Sequence, residues 1–411
     1  MSKPLPIEVR FLKRYARRLH QAGTPAHQME SMLTAIAEQL GYGCAVWSSP
    51  TASFISVHRL DDEDELDPIP MQLIRTPPGQ INLGFTSDLY ELGEDLFEGR
   101  IGVEDAFSRL KSEDVNDGLP RWLRALSWGL CSAGIAVLLG ASWLGVGVAG
   151  GIGTLLGAVF LGIGERANVG GLEALAALLA TLVVNALQHV LPGLDAATVI
   201  MSALIVIVPG LSLTIAVTEL STNHLSSGAA RLAGAVAVIF MLALGVLLGT
   251  VITGFLGWTP ATNVAEATLP HPPDWFIVPA ILWSSLGFAM VFSVRPRQFA
   301  IAMVAAIASY ALSRYAVSIG GLEFGVLVTA LLVAMGSNAC ARWLNVPASL
   351  MRVPGIILLV PGSLGYRAAT GAMLGQGTGV EDAFMLMVVV ATGLVGGLLI
   401  GSTLVPPRRY L

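Results

Sequence analysis

Residues 229–256 read AARLAGAVAVIFMLALGVLLGTVITGFL, 28 positions with a single charge, Arg231. A bilayer's hydrocarbon core is about 30 Å thick and takes about 20 apolar residues in a helix, so this stretch predicts a transmembrane helix. Nine more windows of the same kind lie at 125–146, 150–164, 171–191, 196–218, 275–293, 298–316, 321–341, 349–369 and 381–404. Composition agrees: 54% of the 411 residues are hydrophobic and 12% charged, where a soluble domain carries roughly a quarter charged residues. A soluble globular protein is excluded.

The chain ahead of the first window is different in kind. All three lysines (Lys3, Lys13, Lys111) and 11 of the 23 basic residues fall in its first 111 positions. Residues 1–120 read as a small α+β domain. Helical periodicity at Phe11 to His20 and Ala26 to Leu40 is followed by β-like runs at Cys44 to Trp47, Ala52 to His58 and Met71 to Arg75. Amphipathic segments at Thr86 to Glu98 and Val103 to Leu110 then lead to the linker Asn116-Asp117-Gly118-Leu119-Pro120. The first twenty residues lack the apolar core of a signal peptide, so the N-terminus is expected to stay in the cytoplasm. Cys44, Cys131 and Cys340 have no metal-ligand spacing, and neither a metal nor a cofactor is expected. The net charge of −5 comes largely from Asp61-Asp62-Glu63-Asp64-Glu65, read as a solvated loop, and nucleic acid is not an expected partner.

Arginines give the orientation, because short cytoplasmic loops are enriched in them. With residue 120 inside, Arg121, Arg124, Arg166, Arg231, Arg295, Arg297, Arg342, Arg352, Arg408 and Arg409 fall inside, against only Arg314 and Arg367 outside. This predicts an even number of spans and two cytoplasmic termini.

The membrane part repeats itself. Gly170-Gly171-Leu172-Glu173 recurs as Gly320-Gly321-Leu322-Glu323, Val208-Pro209-Gly210 as Val360-Pro361-Gly362, and Gly245-x-x-x-Gly249 as Gly397-x-x-x-Gly401, in one order at offsets of 150, 152 and 152. The repeats are 121–256 and 274–411, with five windows each. An odd number of spans forces the second repeat into the bilayer upside down. Inverted repeats are a mark of secondary transporters, whose sites are built at mid-membrane from broken helices. The fourth and ninth windows are the expected breaks, since a Pro-Gly pair removes a backbone hydrogen bond. The ninth carries two pairs, Pro354-Gly355 and Pro361-Gly362. The plainer reading of such a pair is a packing kink, and for the Gly-x-x-x-Gly pairs it is close helix packing.

Ionisable residues within spans are functional candidates. Glu173 and Glu323 open equivalent helices, where attraction to the positive helix end also explains them. Glu219 and His224 follow the fourth window; no arginine is expected beside Glu219, and it is the expected proton carrier, with Glu173 and Glu323 behind it. His224 also reads as a solvated loop residue. Pro209, Gly210, Pro361 and Gly362 are expected to frame the substrate site. Thr214, Ser363, Tyr366, Asn185 and Asn338 could hydrogen-bond a zwitterion, and Arg367 could hold a carboxylate or simply mark the membrane surface. No Walker, Gly-x-Ser-x-Gly or His-Glu-x-x-His signature is present, which points away from an enzyme and from ATP as the energy source.

Three parts of the chain carry a resemblance. They are Arg18-Leu19-His20-Gln21-Ala22-Gly23, Glu30, Gly41 and the Ser49-Pro50-Thr51-Ala52 turn; Val208 to Thr214; and Val346-Pro347, Val353-Pro354-Gly355-Ile356-Ile357 and Leu359 to Tyr366. Together they resemble the threonine/serine exporter family, including its forms split into two bacterial proteins. The resemblance implies ten spans, a cytoplasmic N-terminal domain and proton-driven export of threonine and serine. After the fourth window the family pattern has an Asn, an Arg-Asp pair and a later Asp, where this chain has Ile215, Thr218-Glu219 and His224. The sequence thus reads as an α-helical polytopic protein of the inner membrane, ten helices in a five-plus-five inverted repeat behind an α+β domain. Its expected partners are a small amino acid and the lipid bilayer, with a homo-oligomer left open. Two alternatives stay beside it: a transporter of another small metabolite, such as a dipeptide or carboxylate, and a membrane-tethered enzyme or sensor.

Overall fold

The computed structural model describes residues 5–60, 71–75, 81–112, 119–163, 171–191, 193–258, 269–357, 359, 362–375 and 380–407. The acidic run at 61–65, most of the linker, Gly170, Val360 and Pro361 lie outside the described residues.

Pro6 and Pro25 precede the first two helices, α1 (Ile7–Gln21) and α2 (Ala26–Gln39), where a missing N–H costs nothing. The strands β1 (Tyr42–Ser49), β2 (Ala52–Arg59) and β3 (Met71–Arg75) form an antiparallel sheet in the order β1-β2-β3. Then come α3 (Leu83–Phe97), started by the Asn82 side chain accepting from Phe85 N at 2.8 Å, and α4 (Val103–Ser112). Phe11, Leu12, Tyr15 and Leu19 fall on one face of α1 and pack with Met29, Leu33, Ile55, Phe85 and Leu110 in a core made only of residues from this α+β portion. Tyr15 Oη donates to Leu89 O at 2.8 Å and ties α1 to α3 inside it.

The rest is helical: α5 (Arg121–Leu138), α6 (Trp143–Ile163), α7 (Leu172–Val190), α8 (Ala196–Ala203), α9 (Gly210–Ser221), α10 (Leu225–Phe255), α11 (Ile277–Val291), α12 (Phe299–Leu344), α13 (Ser349–Ile356), α14 (Gly362–Met373) and α15 (Val380–Leu404). Six segments among the described residues are long and apolar enough to cross a membrane: Trp143–Ile163, Leu172–Val190, Leu225–Phe255, Asp274–Val291, Pro296–Leu344 and Val380–Leu404. The chain is a helical membrane protein.

Three expectations change in detail. The first window does not run to 146, because Gly140 takes a positive φ of 81° and turns the chain into α6. The seventh and eighth windows are one helical run, α12, that reverses at Gly321 (φ 82°, ψ −179°). A Cβ on Gly325 would lie 2.9 Å from Val317 N and 3.0 Å from its Cα, whereas residues eight apart on a straight helix are about 12 Å apart. Pro354-Gly355, expected to break the ninth window, instead sits inside α13. Helix α13 ends at Ile356 and α14 begins at Gly362, as in the fourth window α8 ends at Ala203 and α9 begins at Gly210.

The contacts of the two halves correspond. A Cβ on Gly134 of α5 would lie 2.5 Å from Ser284 Cβ and 2.9 Å from Ala280 O of α11, and one on Gly287 would lie 2.9 Å from Cys131 Sγ and from Ser127 O. Ser127 and Ala280, Cys131 and Ser284, and Gly134 and Gly287 each stand 153 residues apart. High numbers on one helix meet low numbers on the other, so α5 and α11 cross antiparallel through a self-matching patch. Gly245 of α10 packs on Ala174 and Ala177 of α7 as Gly397 of α15 packs on Leu327 and Ala330 of α12. Across the middle, α9 packs on α15 and α14 packs on α10.

The α+β portion docks on helix ends of both halves. Leu83 N and Gly84 N donate to the carbonyls of Phe292 (2.9 Å) and Ser293 (3.1 Å) just after α11. Gly84 is required there, since any Cβ would run into the Ser293 carbonyl. Arg295 pairs with Asp88, Arg297 with Glu91 at 3.1 Å, and Gln298 Nε2 donates to Ser87 Oγ at 2.9 Å. The other half contributes Glu219, below.

Candidate functional site

At the first break the chain leaves α8 at Leu204, passes through turns closed by Ile207 N to Leu204 O (2.8 Å) and Gly210 N to Val208 O (2.8 Å), and enters α9. Pro209, with φ −82° and ψ 44°, is not helical. α14 starts at Gly362, and the two helix starts touch: a Cβ on Gly362 would lie 2.7 Å from Gly210 Cα and 2.9 Å from Gly210 N. Two residues equivalent by sequence therefore meet each other. Pro361 lies outside the described residues.

Thr214 and Tyr366 each follow their glycine by one helical turn. Both are buried, Thr214 with its hydroxyl on Gly210 O at 3.2 Å and Tyr366 in the cluster that holds α8. Ser363 is half-buried and Arg367 exposed. Asn185 and Asn338 are placed elsewhere and act as matching cross-links. Asn185 Nδ2 donates to Thr253 Oγ1 at 3.0 Å, joining α7 to α10; Asn338 Nδ2 donates to Val405 O at 2.7 Å, joining α12 to the end of α15. The Asn338 carbonyl also accepts from Arg352 Nη2 at 2.6 Å. Glu173 is half-buried in the first turn of α7, and Glu323 is exposed beside the Gly321 reversal.

Glu219, fully buried in the last turns of α9, is the most heavily bonded carboxylate of the candidate set. Its Oε1 accepts from Ala26 N, the first amide of α2, at 3.0 Å, and its Oε2 accepts from Ser227 Oγ at 2.9 Å. Arg231 adds two more donors, Nε to Oε2 at 3.2 Å and Nη2 to Oε1 at 3.4 Å. The expectation that no arginine stands beside Glu219 is therefore wrong. Asn223, at φ 64°, reverses the chain between α9 and α10 and brings back a residue twelve positions on. His224 is a partner too, not a solvated loop residue: its Nε2 meets Glu30 Oε2 at 3.0 Å, and its ring lies 6.0 Å from that of His27. Burial holds the His27 imidazole down to about 4, with Glu219 opposing and His224, Arg352 and Arg231 adding to the depression. A polar pocket beside them, between His20, Thr24, Ser48, Pro50 and Arg231, is about 20 Å³, room for about one water and too small for an amino acid.

Arg231 and His27 are the residues the sequence reading missed. Arg231 had a signal, being the one charge in the apolar run 229–256; His27 had none, because its partners come from another portion of the chain.

Residues 10–253 match the ThrE family model, described as a threonine/serine exporter, and residues 277–404 match a second model, threonine/serine exporter, ThrE. The chain belongs to the threonine/serine exporter family. No curated protein and no solved structure matches it. Within the family pattern, the first match takes in the α+β portion, the Gly210 break and the Glu219 cluster, and the second runs from the start of α11 to the end of α15. The gap between them falls where the sequence divides its two repeats.

Proposed function

We propose that this chain is a secondary transporter exporting small neutral hydroxy amino acids, threonine and serine, across the inner membrane. The contact of Gly210 with Gly362 carries the reading. Helices α9 and α14 both begin there, and each helix start has amides without an intrahelical partner and carries about half a positive charge. A substrate carboxylate fits such a paired helix end, as in transporters built from broken helices. Thr214, Ser363 and Tyr366 stand within the first turns of the same helices and offer hydroxyls for the rest of the zwitterion.

The framework we propose is ten spans in two five-helix repeats of opposite orientation. The antiparallel, self-matching contact of α5 with α11 supports it, since a patch that binds its own equivalent implies a twofold axis. The paired cross-links at Asn185 and Asn338 support it as well. Arg231, Arg295, Arg297 and Arg352 gather at the face where the α+β portion docks, which favours a cytoplasmic position for that face.

The driving force we propose is the proton gradient, with Glu219 as the carrier ahead of Glu173 and Glu323. Glu219 lies on the helix that starts at Gly210, so a movement at the break moves it. Its donors come from two other elements, Ala26 of α2 and Ser227 and Arg231 of α10, and a rearrangement that withdraws them leaves a dry, unpaired carboxylate, which favours the protonated form. Flux of serine and threonine from proteoliposomes, with and without an imposed pH gradient, tests the whole reading. Glu219→Gln should abolish pH-driven flux and spare exchange between equal solutions, which needs no return of the empty carrier. Full pH-driven transport by that variant removes Glu219 from the mechanism, and no flux of either amino acid under any gradient removes the substrate.

A further inference from the structure

Five cations crowd one side of α1. Arg10, Lys13, Arg14, Arg17 and Arg18 follow one another at spacings that make Arg10 and Arg14, Arg14 and Arg18, and Lys13 and Arg17 like-charge neighbours four residues apart. Such pairs destabilise a helix. The opposite face of α1 is committed to the core, so the cations are held on this side by the fold.

Lys111 of α4 brings a sixth cation to the same groove, which has a volume of about 560 Å³ and no carboxylate among the described residues of its wall. That is the size of a small-molecule site. At one end the Arg10 guanidinium and the Lys111 ammonium both lie over the Phe107 ring, 5.0 and 4.9 Å from its centre, and the ring positions two charged heads before any ligand arrives. In the wall, Arg14 Nε is buried and meets no acceptor among the described residues. A buried guanidinium N–H without an acceptor is costly, and an oxyanion entering the groove would satisfy it.

We propose that this groove binds a polyanion bearing two or more phosphate groups, either a free small molecule or the headgroup of an anionic lipid. Arginine predominates, and its planar fork matches phosphate oxygens two at a time. From Arg10 to Arg18 the stripe runs about 12 Å along the helix, farther than one phosphate reaches. The groove lies in the α+β portion, away from the Gly210–Gly362 contact, so its ligand is distinct from the transported solute.

Calorimetric titration of the full-length protein with inorganic tripolyphosphate tests this, once in nanodiscs of phosphatidylcholine and once with cardiolipin added. Saturable binding is expected that weakens as salt rises and weakens at least tenfold in Arg14→Gln/Arg17→Gln. Arg109→Gln, which removes a cation of α4 paired with Asp95 outside the groove, should bind as the native protein does. Arg14→Lys/Arg17→Lys keeps the charge, loses the fork and should fall between, which guards against a glutamine variant that misfolds. If the occupant is a lipid headgroup, cardiolipin suppresses tripolyphosphate binding; if it is a free molecule, both discs give one affinity, and either result supports the site. Absence of binding in both discs, or full binding by the double glutamine variant, overturns it. So does binding that appears only after Asp61, Asp62, Glu63, Asp64 and Glu65 are replaced by serine, because the chain's own acids would then be the occupant.

Discussion

Adding one methyl group at Gly362 tests the centre of the molecule. The new Cβ of Gly362→Ala would lie 2.7 Å from Gly210 Cα, 2.8 Å from Val208 Cγ1 and 2.9 Å from Gly210 N. Ordinary carbon contacts begin near 3.5 Å, so the two helix starts must part by roughly 0.6 to 0.8 Å. Two of the three obstacles are backbone, which cannot turn aside as a side chain can. Overpacking of this kind costs about 1–3 kcal/mol, and 1.36 kcal/mol is about a factor of ten, so the touching arrangement should lose about five- to 150-fold in population relative to any state in which α9 and α14 are apart. Gly147→Ala in α6 is the control, because its Cβ meets nothing within 4 Å. The assay is serine and threonine flux from proteoliposomes beside a thermal melt of the same preparations. The alanine at 362 should lower both, and the one at 147 neither. If the two variants behave alike, the glycine contact is not a tight crossing and the proposed substrate site loses its basis.

Cysteines introduced at positions 262 and 376 should react with an impermeant reagent from outside the cell, and those at 168 and 296 should not; the reverse pattern would overturn the orientation. Asn338→Ala removes the bond to Val405 and leaves the half-buried Arg352 without its carbonyl partner, so a loss of about 1–3 kcal/mol in stability is expected. The apparent affinity for substrate should stay unchanged in that variant, and a large change would place Asn338 in the binding site after all. His27 is held near 4 in the folded protein against 6.5 for a free imidazole, so the unfolded chain binds its proton more readily. The stability this contributes is present above pH 6.5 and is lost as pH falls toward 4, up to about 3 kcal/mol. Melting curves across that range should show the loss in the native protein and much less of it in His27→Gln.

Most of the architecture was legible in the chain because hydropathy and helical period are local. Seven of the ten apolar windows fall on the six segments long and apolar enough to cross a membrane, and the helices and strands expected in residues 1–120 lie within a few residues of α1 to α4 and β1 to β3. The misplaced boundaries were decided by backbone conformation: the positive φ of Gly140 ends a helix inside an unbroken apolar run, and Pro354 stays in a helix because the interruption falls after it. Both Val-Pro-Gly segments were found, since the repeat marks them.

Partnership was not legible. Nothing in the spacing of Glu219 and Arg231 says that they pair; the αL residue Asn223 folds α10 back on α9, and only then do they meet. Ala26 reaches Glu219 across 193 positions, through the docking of one core on another. Asn185 and Asn338 carried hydrogen-bonding capacity in the sequence, but whether that capacity faces a substrate or a neighbouring helix depends on which helices are adjacent. By itself the sequence determined that this is a polytopic helical chain with an internal duplication, because burial in lipid constrains composition residue by residue. Tertiary structure alone decided that Gly210 lies on Gly362 and that Glu219 is bound by Arg231, because those contacts join segments whose separation along the chain says nothing about their separation in space.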